Sequence, residues 1–124
     1  MTDAPPASEP GDLARLTALI REFSRERDWE QFHDPKSLVL ALVGEVGELA
    51  ELVQWLPAGD AVAHFADPDR HRRAGEEIAD VLVYLLRLAD VLGVDVLQAT
   101  LAKQAEARRR FPVDTVHGVA PRKE

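Results

Sequence analysis

Apolar residues recur along the chain at intervals of three and four, the spacing that places side chains on one face of an α-helix. The first such segment begins after Asp12, which we predict as an N-cap, and runs to about Asp28. Its apolar stripe consists of Leu13, Leu16, Leu19, Ile20 and Phe23. No segment shows the alternation typical of a half-buried strand, so the pattern predicts an all-α fold.

Two Asp-Pro pairs mark further helix starts, because aspartate caps a helix and proline suits its first position. These pairs predict helices over about 35–56 and 68–92, separated by a loop at 57–66. A last helix is predicted between Asp95, which can cap it, and Pro112, which ends it. Four helices with short connections indicate a four-helix bundle, with the second and third central because they are the most apolar. Their apolar surface extends over more than half of the circumference, which predicts a homodimer or homotetramer.

The chain of 124 residues is long enough for one domain with its own core. We predict a flexible N-terminal arm at 1–10, which contains three prolines, and a single helical domain at 11–112. Residues 113–124 are expected to form an irregular tail.

Composition excludes several classes of protein. The chain has no cysteine, hence no disulfide framework, zinc-thiolate site or thiol nucleophile. A net charge of −7 argues against a nonspecific nucleic-acid binder, whose affinity comes from neutralising phosphates. No stretch approaches the roughly 20 apolar residues of a membrane span, and the N-terminus does not read as a signal peptide. We therefore expect a cytoplasmic protein without membrane or nucleic-acid partners.

Two acidic pairs lie within otherwise apolar helical segments: Glu45 with Glu48, and Glu77 with Asp80. Residues three apart share one face of a helix, so antiparallel packing of the two helices would make four carboxylates converge. Their mutual repulsion must then be offset by protons, arginines or divalent cations. A ligand set of oxygens alone suits Mg²⁺ or Mn²⁺, and charge balance favours two or more ions.

A solvated helix face is the alternative reading of such pairs, and Glu51 and Glu76 fit it better. Gly44 and Gly47 lie among the first acidic pair, and glycine within a helix costs about 1 kcal/mol relative to alanine. These glycines therefore indicate the close approach of another backbone or a ligand. Spacing alone leaves both readings open.

Several motifs occur in one order: RDWEQFH, then ExxE within LALVGEVGELAEL.QW, then ExxD within EEI.DVL.YL, and finally K......R.P. Together they resemble the all-α nucleoside triphosphate pyrophosphohydrolase superfamily of the MazG type, and more closely its dCTP pyrophosphatase branch. The resemblance covers about residues 12–112. It implies hydrolysis of a (deoxy)nucleoside triphosphate, dCTP or a related pyrimidine dNTP, to the monophosphate and pyrophosphate.

The resemblance also implies roles for individual residues. The metal ligands would be Glu45, Glu48, Glu77 and Asp80, with Mg²⁺ as the ion, and the candidates for catalytic base would be Glu45 and Glu48. The substrate-binding residues would be Trp29, His33, Trp55, Tyr84, Lys103 and Arg110, the aromatic rings stacking on the base and the two cations contacting the phosphates.

The chain departs from the family pattern at Ala107, where asparagine is common, and at Ile20, where close relatives carry a histidine that contacts the base. Two other functions remain as alternatives. One is a nonenzymatic helical interaction module, in which the acids would be spectators. The other is a di-iron carboxylate bundle, which requires two Glu-x-x-His motifs; only Glu30 to His33 fits, and it falls between helices.

Overall fold

The computed structural model describes residues 11–120, in which all regular structure is helical. The prediction of an all-α fold is therefore confirmed. The predicted arm at 1–10 lies outside the described residues. The helices are α1 (Asp12–Glu26), α2 (Pro35–Glu51), α3 (Ala61–His64), α4 (Pro68–Leu92), α5 (Val96–Arg110) and α6 (Val113–Val116), with short 3-10 turns at Glu30–Phe32 and Ala58–Asp60.

Three aspartates cap helices as the sequence predicts. Each side chain accepts a hydrogen bond from the backbone N–H three residues later: Asp34 from Ser37 at 3.0 Å, Asp67 from Arg70 at 3.1 Å and Asp95 from Gln98 at 3.0 Å. The prediction for α1 is wrong, because Gly11 is the N-cap and Asp12 lies in the first turn. A carboxylate there still interacts favourably with the helix dipole.

Asp67→Ala is expected to lower the free energy of unfolding by about 1 kcal/mol, because the N–H of Arg70 loses its capping acceptor. Asp60→Ala is the matched control, since Asp60 precedes α3 without any capping bond from its side chain. Urea unfolding followed by circular dichroism measures both variants. Equal losses in the two would show that the Asp67 cap does not stabilise α4.

Helix boundaries differ from the predictions in two places. Helix α2 ends at Glu51 rather than near 56, and the next residues form tight turns in which Leu52 and Val53 donate to carbonyls only three residues back. Pro57 then restricts Leu56, the residue before it, to extended or turn backbone, so the helix does not resume there. The predicted tail also contains one helical turn, α6, and the predicted loop at 57–66 contains α3.

Helix α4 is the centre of the packing and contacts both α2 and α1. Its largest contact is with α2, which runs antiparallel to it. The buried apolar residues among those described are Ile20, Leu38 and Leu86. Helix α5 has no extended contact with α1, α2 or α4. Within the described part of one chain, the expected four-helix packing is thus incomplete.

Much apolar surface stays exposed in the single chain. The face of α2 that points away from α4, which we call the α2 outer face, consists of Leu40, Val43, Gly44 and Gly47. Leu40 and Val43 are 61% and 62% exposed. A Cβ atom added at either glycine would meet nothing within 4 Å. The close approach predicted from these glycines is therefore not made by any of residues 11–120.

Across residues 11–120, no helix is both long enough and apolar enough to cross a membrane. This includes α4, which has 25 residues but carries charged side chains along its length.

Candidate active site

The antiparallel contact between α2 and α4 brings carboxylates of both helices together. Glu45 and Glu48 of α2 and Glu77 of α4 each offer an oxygen, and these atoms lie within 4.8 Å of one another. We call these three residues the acidic cluster. Asp80 is one turn further along α4, and its charge acts on both Glu45 and Glu77. The predicted four-acid site thus has three members in close contact and Asp80 at its edge.

Two oxygens of the acidic cluster, Oε2 of Glu45 and Oε2 of Glu77, are buried and have no hydrogen-bond partner among the described residues. Burial raises the pKa of the Glu45 carboxyl, and the charges of Glu48 and Asp80 raise it further. The pKa of Glu77 is raised by burial and then by Glu48. Because an unpartnered buried carboxylate is costly, the cluster favours a proton or a cation.

A second polar network connects α1, the segment before α2, and α4. The buried Arg87 donates from Nε to Nδ1 of His33 and from Nη1 to Oδ2 of Asp90, both at 2.9 Å. Asp90 also accepts from Nε of Arg21 at 2.9 Å and from its Nη2 at 2.6 Å. Arg87 is not among the residues predicted from the sequence, although an arginine within the apolar run LLRLA was a usable signal.

The charges of this network shift two pKa values. Hydrogen bonds from Arg21 are the largest cause that lowers the pKa of the Asp90 carboxyl, followed by the positive charges of Arg21 and Arg87. Burial lowers the pKa of His33, and the charge of Arg87 lowers it further. His33 therefore favours the neutral imidazole, and Asp90 favours the carboxylate.

The Asp90 shift predicts how stability depends on pH. A depressed pKa in the folded state stabilises the fold above the unfolded value of about 3.9, and this contribution is lost as pH falls through the lower folded value. Asp90→Asn removes the titrating group. The difference in free energy of unfolding between wild type and Asp90→Asn should therefore be largest near neutral pH and shrink below about pH 4. Denaturant titrations at several pH values measure it, and a constant difference would contradict the assignment.

Two of the three predicted base-binding aromatics, Trp29 and Trp55, lie apart in the described single chain. Trp29 makes an edge-to-face contact with Phe23 at 5.7 Å between ring centroids, and Tyr84 is partly buried on α4. Trp29 precedes α2, whereas Trp55 follows it and is 86% exposed. The intervening helix of 17 residues is about 25 Å long. Trp29 and Trp55 consequently lie near opposite ends of α2.

The predicted phosphate clamp lies on α5. Lys103 is exposed, and its Nζ lies 3.6 Å from Oε2 of Glu106. The guanidinium carbon of Arg110 lies 5.4 Å from the centroid of the Phe111 ring. Since α5 has no extended contact with α2 or α4, the described single chain does not bring this clamp against the acidic cluster.

An arginine-lined groove beside Glu77 is a feature that the sequence analysis missed. It lies along the first turns of α4 and is lined by Asp69, Arg70, Arg72, Arg73, Glu76 and Glu77. Arg72 is paired with Asp69 at 3.7 Å and with Glu76 at 3.2 Å. The charge of Arg73 lowers the pKa of Glu77 and so opposes the effect of the neighbouring acids. The RHRR stretch was the available signal.

These features define an all-α protein with a carboxylate site between two antiparallel helices. Residues 41–122 match the MazG-like family, and the chain belongs to that family. The resemblance inferred from the motifs is thereby confirmed. A solved pyrophosphatase from Archaeoglobus fulgidus has the same fold, with a TM-score of 0.76 and 34% identity over 86% of this chain and 97% of that one.

Curated relatives carry the name dCTP pyrophosphatase 1. The protein from Bos taurus is 49% identical over 114 residues, which is 92% of this chain and 67% of the relative. The protein from Homo sapiens is 50% identical over 101 residues, which is 82% of this chain and 58% of the relative. The matches thus span about three fifths to two thirds of the length of these relatives.

Proposed function

We propose that this protein hydrolyses a deoxynucleoside triphosphate, dCTP or a related pyrimidine dNTP, to the monophosphate and pyrophosphate. The observation that carries the proposal is the acidic cluster, with its buried, unpartnered oxygens on Glu45 and Glu77. The named activities of the bovine and human relatives supply the reaction and the substrate class. The identity of this chain to both, near one half, supports carrying them over.

The residues fit a divalent cation. Glu45, Glu48 and Glu77 offer oxygen ligands from two helices, and Asp80 is close enough to act on them electrostatically. Hard oxygen ligands suit Mg²⁺, with Mn²⁺ as the alternative, and two or more ions would balance the four charges. When bound, such ions neutralise phosphate charge and lower the pKa of water.

Within this scheme the carboxylates of Glu45 and Glu48 are the candidate bases. One of them takes a proton from the attacking water, whose oxygen forms a bond to the α-phosphorus. The bond from that phosphorus to the α,β-bridging oxygen breaks, and pyrophosphate leaves with the electron pair. Arg73 and Arg70, in the groove beside Glu77, place positive charge where the departing phosphates are expected.

The nucleoside is proposed to lie along α4 beside Tyr84, with Trp29 and His33 close to the end of that helix. Trp55, Lys103 and Arg110 are further proposed contacts. They are not assembled with the acidic cluster in the described single chain, so a site that uses them requires a second copy. The exposed α2 outer face supports such an assembly, and we propose a homodimer or homotetramer.

The alternatives are less well supported. In a di-iron bundle the Glu30 to His33 motif would supply ligands, but His33 Nδ1 is bonded to Arg87 and Glu30 lies in a 3-10 turn. A nonenzymatic interaction module does not account for the buried oxygens of the acidic cluster. Cytoplasmic location, the absence of nucleic-acid partners and the single-domain organisation stay predictions.

A substrate panel tests the proposed function. Purified protein is incubated with dCTP, dTTP, dUTP and dATP in the presence of Mg²⁺, and products are separated by ion-exchange chromatography. We expect monophosphate and pyrophosphate in equal amounts, with dCTP or another pyrimidine substrate turned over fastest. A chelator should abolish turnover, and excess Mg²⁺ should restore it. Orthophosphate as the first product, or no turnover of any nucleotide with Mg²⁺ or Mn²⁺, would refute the proposal.

A further inference from the structure

The network around Arg87 lies on the face of α4 that carries the acids. Residues 77, 80, 84 and 87 follow one another at intervals of three, four and three, so they share one side of the helix. Arg87 is seven residues beyond Asp80, which is about 10 Å along the helix axis. Tyr84 lies between them. A ligand with its phosphates at the acids and its base beside Tyr84 therefore points its nucleoside end towards His33.

The bond between Arg87 and His33 determines where the imidazole carries its proton. Arginine only donates hydrogen bonds, so the Nδ1 atom that faces Arg87 Nε at 2.9 Å must be unprotonated. A neutral imidazole then carries its proton on Nε2. Nε2 has no hydrogen-bond partner among residues 11–120 as described, whereas Nδ1 is occupied. This leaves a donor of defined orientation at the nucleoside end of the proposed site.

Arg87 is itself held in place, which makes it suited to fix another side chain. It is only 7% exposed, and its Nη1 donates to Asp90, which Arg21 binds from α1 through two further hydrogen bonds. The chain of contacts therefore runs from α1 through Asp90 and Arg87 to His33. A side chain with this many partners has little freedom to move.

We propose that Arg87 is a positioning residue that holds His33 in its Nε2–H form, so that this N–H donates to an acceptor atom of the substrate's nucleoside. The acceptor class is a base carbonyl, a base ring nitrogen or a sugar oxygen. The inference rests on the proposed function and adds to it a residue that acts on the substrate only through His33.

Kinetics of three variants test this role. Arg87→Leu removes the donor to Nδ1. His33→Asn keeps an acceptor near the Nδ1 position for Arg87 but lacks the Nε2–H. Each change should raise KM for dCTP about tenfold, which is the loss of affinity expected when one hydrogen bond is removed. The kcat of each variant should change less than about threefold. The double variant should also show about a tenfold effect, because both changes remove the same contact.

A control variant and two contradicting outcomes complete this test. Arg15→Leu on α1 changes an exposed arginine whose contact is a 3.9 Å pair with Asp12, and it should leave KM unchanged. Multiplying effects, about 100-fold in the double variant, would show that Arg87 does not act through His33. A His33→Asn protein with wild-type KM would show that His33 does not contact substrate. Either result overturns the proposal, and the His33→Asn measurement can be made even if Arg87→Leu fails to fold.

A spectroscopic measurement separates this inference from the proposed function. Long-range ¹H–¹⁵N NMR of the wild-type imidazoles reports which ring nitrogen is protonated, and loss of one signal set in His33→Asn assigns His33 among the four histidines. We expect an unprotonated Nδ1 in wild type and a mixture of tautomers in Arg87→Leu. A protonated Nδ1 in wild type refutes the positioning role. Absence of any nucleotide turnover refutes the function while leaving this measurement interpretable.

Discussion

Glu48→Gln is expected to lower kcat/KM for dCTP by on the order of 10³-fold, because it removes one negative ligand from the acidic cluster. Glutamine preserves the size of the side chain and a neutral oxygen, so the loss reports charge rather than packing. Glu51→Gln is the matched control, one turn further along α2 and outside the cluster. Steady-state kinetics of the two variants, measured side by side, decide the assignment.

The same pair of variants gives a readout that does not depend on turnover. Without added metal, Glu48→Gln should be at least as stable as wild type, because Glu48 raises the pKa of both Glu45 and Glu77 by repulsion. Mg²⁺ should raise the Tm of wild type by mass action and that of Glu48→Gln much less. An equal response to Mg²⁺, together with normal kinetics, would remove Glu48 from the site.

Val43→Glu should convert the proposed homo-oligomer to monomers. Val43 is 62% exposed at the centre of the α2 outer face, where Gly44 and Gly47 leave room for a second helix. Burying a valine or leucine is worth roughly 1.5–3 kcal/mol, whereas burying an unpaired carboxylate costs several kcal/mol. We therefore expect the dissociation constant of the assembly to rise at least about 100-fold.

Analytical ultracentrifugation across a range of protein concentrations measures this shift. Val62→Glu is the control, because Val62 is 89% exposed on the short helix α3, away from the α2 outer face. Turnover should fall together with the loss of assembly if Trp55 or Lys103 acts on a neighbouring copy's substrate. A Val43→Glu protein with unchanged mass in solution would show that the α2 outer face is not the interface.

Local signals in the sequence were sufficient for the starts of α2, α4 and α5 and for the spacing of the acids within each helix. The Asp34 and Asp67 caps depend on residues only three positions away, so their partners can be inferred from the chain itself. The three-residue spacing of the acids likewise fixes which face each occupies. The two acidic faces meet only because α2 and α4 pack antiparallel. The sequence pattern is compatible with this packing but does not determine it.

The remaining features depend on contacts between distant parts of the chain. Periodicity shows that α5 has an apolar side but not what covers it, and within one described chain no helix packs extensively against it. The proposed role of Arg87 depends on His33, which is 54 residues away and which only the folded structure brings beside it. The end of α2 at Glu51 rather than near 56 is a difference of a few residues, and local rules locate helix ends least well.

The unbroken course of α4 constrains how this chain can change over evolution. From Pro68 to Leu92 it carries Glu77, Asp80, Tyr84 and Arg87 without a loop in which a length change could be absorbed. Inserting one residue between Asp80 and Arg87 would turn everything beyond it by about 100° and break the alignment. Insertions or deletions within this stretch should therefore be rejected, except in steps near seven residues, while substitutions on its outer side remain tolerated.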